Sequence, residues 1–108
     1  MSARRSAEAT RAGVTLQSRV KIPPDVVFRE VGDELVILDL TRGVYFGLNE
    51  VGTRAWRLLC EGRALDTAAA TLAGEYDVSE GRCAADLVTF VGALLGHHLV
   101  ELDAGADA

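Results

Sequence analysis

The stretch from Gly43 to Asn49, "GVYFGLN", limits the fold more than any other segment, because it holds a turn residue, a strand and a helix cap with nothing between them. Gly43 can take the positive φ of a tight turn, "VYFGL" carries β-branched and aromatic side chains, and Asn49 offers the side-chain oxygen that a helix N-terminus needs. A strand so short predicts a helix starting at residue 50. Upstream, "VVFREV" and "ELVILDL" read as two more strands, with Gly32 and Asp33 turning the first into the second, and Thr41, Arg42 and Gly43 turning the second into the third. Pro23 and Pro24 exclude a helix before them. The middle strand is apolar on both faces, which predicts cover on both sides.

Three helical patterns follow. The first runs from about Glu50 to Cys60, with Val51, Ala55, Leu58 and Leu59 at helical spacing and Trp56 beside them, and Gly62 ends it. The second, about Asp66 to Tyr76, places Leu65, Ala68, Ala69, Leu72 and Tyr76 on one side. Asp77 or Ser79 can cap a third, from about Glu80 to His97, after which "LVEL" reads as a short extended end. This third helix carries two apolar stripes, Ala84, Val88, Val91 and Leu95 beside Cys83, Leu87, Phe90 and Leu94. A helix on a single core needs an apolar arc of only somewhat over 100°, so two stripes predict two neighbours.

The expected class is therefore α+β: a three-stranded antiparallel sheet followed by three helices, with a helix-turn-helix-like last pair and a winged-helix outline. A length of 108 residues suits one domain with a modest core. The expected division is a flexible basic N-terminal tail over residues 1–21, a domain over 22–102 and a disordered C-terminal tail over 103–108. Residues 1–21 carry five positive side chains against Glu8 alone, a net of +4, whereas residues 22–108 carry 6 positive and 15 negative ones, a net of −9. An acidic body repels a phosphate backbone, and the third helix opens with Glu80, Arg82, Asp86 and Thr89 rather than a row of base-reading side chains, so DNA binding stands as the alternative function only.

Signals for catalysis are poor. His97 and His98 are adjacent and diverge by about 100° on a helix, so they cannot share a metal. No phosphate loop, dinucleotide fingerprint, nucleophile elbow or metalloprotease motif occurs. Asp39 in its apolar strand and Asp86 on the wide helix read as structural or solvated acids. Cys60 and Cys83 lie in apolar helical patterns and read as small buried hydrophobes. No enzyme activity, cofactor or metal is expected. With no apolar run to cross a membrane and no apolar block behind the N-terminal arginines, the expected location is cytoplasmic.

"DELVILDLTRGVYFGLNEVGTRAWRLL" and, further on, "DLVTFVGALLGHHLVEL" resemble the PqqD family, small winged-helix-like recognition elements for ribosomally made, modified peptides. The resemblance spans residues 22 to 102 and rests on Leu38, Asp39, Gly43, Tyr45, Leu48 and Asn49, on Gly52, Trp56, Leu58 and Leu59, and on the stretch from Asp86 to Leu94 with its closing "LV". Within the family the junction looks more like stand-alone leader-binding proteins of lasso-peptide clusters. The family often has glycine just before that "LV", where this chain has His98, so a different conformation is expected there.

The resemblance implies a peptide chaperone without catalysis. It binds the leader of a precursor peptide as a strand added to the third strand and lying against the third helix, and brings it to a leader peptidase, cyclase or radical enzyme. The implied peptide-binding residues are Val44, Tyr45, Phe46, Gly47 and Leu48 on the strand, with Arg82, Cys83, Asp86, Leu87, Phe90 and Leu94 on the helix. An unpaired edge could also join a second copy into a homodimer.

Overall fold

In the computed structural model, which describes residues 14–103, the chain forms β1 (Val20–Lys21), β2 (Val26–Val31), β3 (Glu34–Asp39), β4 (Val44–Leu48), α1 (Glu50–Cys60), α2 (Leu65–Tyr76), α3 (Glu80–Gly96) and β5 (Glu101–Leu102). β2, β3 and β4 make an antiparallel sheet in sequence order, and β1 pairs with β5 in a separate two-stranded clasp. The expected α+β class and its three strands and three helices are those of the structure.

Local chemistry sets the boundaries. Gly32 (φ 66) and Gly43 (φ 70) turn the two hairpins in a backbone region that other residues avoid. The second turn is fixed further by Asp39, whose carboxylate accepts from the N–H groups of Thr41 at 3.0 Å and Arg42 at 3.1 Å. Asn49 caps α1 by accepting from Gly52 N–H at 2.8 Å, and Ser79 caps α3 by accepting from Arg82 N–H at 3.1 Å. Asp77 closes α2 instead of opening α3, in a left-handed conformation.

α3 ends in a Schellman motif: Leu99 N–H donates to the Leu94 carbonyl at 2.9 Å and His98 N–H to Leu95 at 3.0 Å. His98, at φ 62, adopts the left-handed conformation that glycine would favour. A side chain in that conformation carries strain.

Wholly buried Trp56, Leu58 and Leu59 of α1 form the centre of the core, against Leu35 and Ile37 of β3 and Val91 of α3. Phe28 of β2 meets Trp56 edge to face at a centroid distance of 5.3 Å. Two expectations are corrected here. β3 is covered on one side: Leu35, Ile37 and Asp39 are buried, while Val36 and Leu38 are half-buried on a face where Val27 of β2 and Tyr45 of β4 stay exposed. The buried line of α3 is Leu87, Val91 and Leu94, which takes members from both stripes, with Cys83 and Phe90 flanking it on one side and Ala84, Val88 and Leu95 on the other.

The folded unit also begins before residue 22. Ala64 precedes α2 without a side-chain cap, and the first amides of that helix donate to backbone carbonyls instead, Leu65 to Ser18 at 3.0 Å and Asp66 to Leu16 at 2.8 Å. Residues 16–18 thus act as the cap, and Val20 is buried behind them. Of the expected tails, residues 1–13 and 104–108 lie outside the described residues.

Candidate functional site

β4 is the outer strand of its sheet, so one side of its backbone pairs with β3 and the other faces outward. Alternate N–H and C=O groups along that outer side have no ladder partner. β2 is the opposite edge, but its chemistry differs. It carries Arg29 and Glu30, and Glu30 forms an ion pair with Arg57 of α1, whereas β4, "VYFGL", has no charge and no proline to repel an incoming strand. β4 is the edge suited to accept one.

On β4, Phe46 and Leu48 are half-buried toward the core, opposite Ile37 and Leu35, while Tyr45 and Gly47 point to the other face and Tyr45 is 74% exposed. Val44 lies opposite Asp39 at the start of the strand and is exposed. The Phe46 ring meets His97 at the end of α3 with centroids 4.7 Å apart. The C-terminal end of α3 is thereby fixed beside β4.

The N-terminal half of α3 lines an apolar cavity of about 550 Å³. α3 contributes Cys83, Leu87 and Phe90 to it, α1 contributes Val51 and Ala55, and α2 with the following link contributes Leu72, Tyr76 and Val78. Arg82 and Asp86 stand at its rim, with their charged groups 3.8 Å apart and about three-quarters exposed, a pair that adds little to stability but leaves both charges available. The size falls within the roughly 300–1,000 Å³ of pockets that take small-molecule-sized groups.

The structure therefore brings Arg82, Cys83, Asp86, Leu87 and Phe90 together around one cavity, and places Val44 to Leu48 on the free edge. Leu94 stands apart: at 5% exposure it belongs to the core and does not line the cavity. Val51, Tyr76 and Val78 were not expected from the sequence as binding residues, and their signal is exposure, which an apolar helical pattern does not reveal. Val51 is 49% exposed although it sits in the apolar series of α1.

Neither cysteine is fully buried, which corrects the expectation for both; they are free thiols, and partial desolvation pushes Cys60 up to about 11. Asp39, almost wholly buried, is consumed by its own turn. Among the described residues no group of three His, Cys, Asp or Glu side chains could hold a metal ion, and no helix is long and apolar enough to cross a membrane.

Among known proteins, the PqqD family, described as coenzyme PQQ synthesis protein D, matches residues 34–100, from β3 to the residue before β5. Among solved structures, TbiB1 in complex with the TbiA(beta) leader peptide is similar at 40% identity and a TM-score of 0.72, over 75% of this chain and 94% of that one. Lasso peptide synthetase B1 complexed with the leader peptide is similar at 22% identity and a TM-score of 0.73, over 77% of this chain and 98% of that one, and at that identity the likeness shows the fold alone. None of the curated proteins matches the chain. The matched span takes in the turn at Gly43, the whole of β4, the Asn49 cap and all three helices, and covers more than half of the sequence: this chain belongs to the PqqD family.

Proposed function

We propose that the protein is a non-catalytic recognition element that binds the leader segment of a ribosomally made precursor peptide. The leader adds as a strand to the outer edge of β4, lies along α3 and seats an apolar side chain in the cavity beside Phe90. The observation that carries this reading is the presence of an uncharged, uncovered strand edge and of an open apolar cavity on the helix whose C-terminal end meets that strand at Phe46. Main-chain bonds to β4 supply affinity that tolerates sequence variation, and the cavity selects among peptides. The complex of the 40% identical TbiB1 with a leader peptide supports it.

In this role the protein presents the precursor to a modifying enzyme of a lasso-type pathway, such as a leader peptidase or cyclase, in the cytoplasm where the precursor is made. The DNA-binding alternative finds no support. Arg82 is the one basic side chain at the start of α3, and the body around it is acidic.

The test is a titration of the protein with the leader half of a precursor encoded beside it, followed by backbone amide NMR shifts. Saturable binding with the largest shifts at 44–48 and 82–90 is the expected result. Shifts absent from β4, or no binding, would remove the function.

A further inference from the structure

Gly47 of β4 is the only glycine inside a strand among the described residues. Glycine weakens a strand, because its backbone has more freedom to lose and it brings no side chain to pack. At four other positions glycine has a local reason. Gly32, Gly43 and Gly62 take positive φ angles, and a Cβ on Gly52 would come within 3.3 Å of the capping oxygen of Asn49. Gly47 has neither reason: its φ is not positive, and a Cβ there would meet nothing within 4 Å. The free protein has room for a side chain that the sequence withholds. A strand glycine that the fold does not require marks a place where a ligand approaches closely.

Strand register shows what the missing side chain opens. Gly47 lies opposite Val36 of β3, and Val36 lies opposite Arg29 of β2, so this row across the outer face ends in a notch at the free edge. Tyr45, two residues back on the same face and 74% exposed, forms one wall of the notch, and half-buried Val36 closes its far end. A strand added to β4 would run about 5 Å from Gly47 and about 10 Å from Val36. A branched aliphatic side chain standing on that strand falls short of Val36. A flat ring laid across the bare glycine backbone reaches it, and covers the glycine as aromatic neighbours do in designed sheets. Both contacts suit a ring, since aromatic side chains pair well with a β-branched one and with another aromatic.

We infer that Gly47 is a specificity residue of the leader site: the leader carries an aromatic side chain at the position opposite it, and that ring lies across the glycine against Val36 and Tyr45. The inference deepens the leader-binding reading and rests on it. Successive residues of a strand point to opposite faces, so this ring stands an odd number of positions from the leader side chains that face α3. A leader is then selected by the spacing between two anchors, one on each face.

The experiment uses wild type, Gly47→Ala and Gly47→Val, each followed by thermal unfolding, and titrates them with the leader half of a precursor encoded beside the protein and with its single-alanine variants, read by fluorescence anisotropy. The expected result is a melting temperature unchanged or raised in both variants and leader affinity weakened about tenfold or more in Gly47→Val. One aromatic leader position should account for the loss. Its change to alanine should weaken binding to wild type about tenfold but to Gly47→Val by about twofold or less, because the ring has already lost its place. Leader affinity equal to wild type in both variants overturns the inference and leaves leader binding intact. A loss in Gly47→Val that is the same for every leader variant also overturns it, since the substitution then acts on the edge rather than on a ring. A fall in melting temperature in both variants overturns it by giving the glycine a role in the fold. A wild type that does not bind the leader removes the proposed function and the inference together.

Discussion

Backbone N-methylation of the leader tests strand addition without disturbing the protein. β4 offers five residues, Val44 to Leu48, and the outward N–H and C=O groups of a strand alternate along it. Of the leader residues lying opposite, every second one donates its N–H to β4 and the others point theirs away. Methylating a donor leaves a β4 carbonyl unsatisfied beneath the added strand, a loss of about 1–3 kcal/mol or about 5- to 150-fold in Kd. Methylating its neighbour costs almost nothing there, since N-methylation itself favours extended backbone. A scan along the leader, read by fluorescence anisotropy, should show two or three sensitive positions separated by tolerant ones, within a window of about 17 Å. Uniform tolerance would mean that side chains alone hold the peptide. Sensitivity without alternation would refute pairing with a strand edge.

Truncations separate groove from core. Phe90→Ala should weaken leader binding about 5- to 30-fold by removing about 1–2 kcal/mol of apolar contact, with little change in melting temperature. Leu94→Ala should do the reverse, costing about 2–5 kcal/mol in urea unfolding while the folded fraction binds as before. His98→Gly should stabilise the fold by about 0.5–1 kcal/mol in the same assay, because it relieves the left-handed strain at the end of α3. The Cys60 thiol, raised to about 11 by desolvation, should react with iodoacetamide at pH 8 about a hundredfold more slowly than an ordinary thiol, with the rate climbing through pH 10 to 11. The Glu75 carboxyl is lowered by its hydrogen bond with Arg54, which links α2 to α1. Its contribution is present above the unfolded carboxylate range and is lost as pH falls through the lower folded value, so Glu75→Gln should flatten that part of the acid unfolding curve.

Local signals were legible where one residue does one job. Gly43, Asn49 and Ser79 each mark a boundary by their own chemistry, and the strands and helices between them follow. Signals failed where the cause lies elsewhere in the chain. The cap of α2 comes from the carbonyls of Leu16 and Ser18, and a backbone carbonyl has no sequence signature. β-branched residues on both faces of β3 suggested two-sided cover, yet one face is left open to solvent. The two stripes of α3 were real as apolar residues, but the buried line runs between them, because burial depends on which neighbour sits closest. The cavity gathers side chains from α1, α2, α3 and one link, so only half its wall could be foreseen from α3.

The clasp of β1 and β5 carries a consequence for architecture. Val20 lies opposite Leu102, with Lys21 opposite Glu101, so the backbone passes on adjacent strands about 5 Å apart near the start and the end of the folded unit, just after residues 16–18 have capped α2. A unit whose two ends meet can be spliced into a surface turn of a larger protein, or appended to either end of one, without pulling its own sheet or helices out of place. The outer edge of β4 would stay accessible in either arrangement. Recognition and catalysis can then be carried on one chain or on two, with the same strand edge serving both.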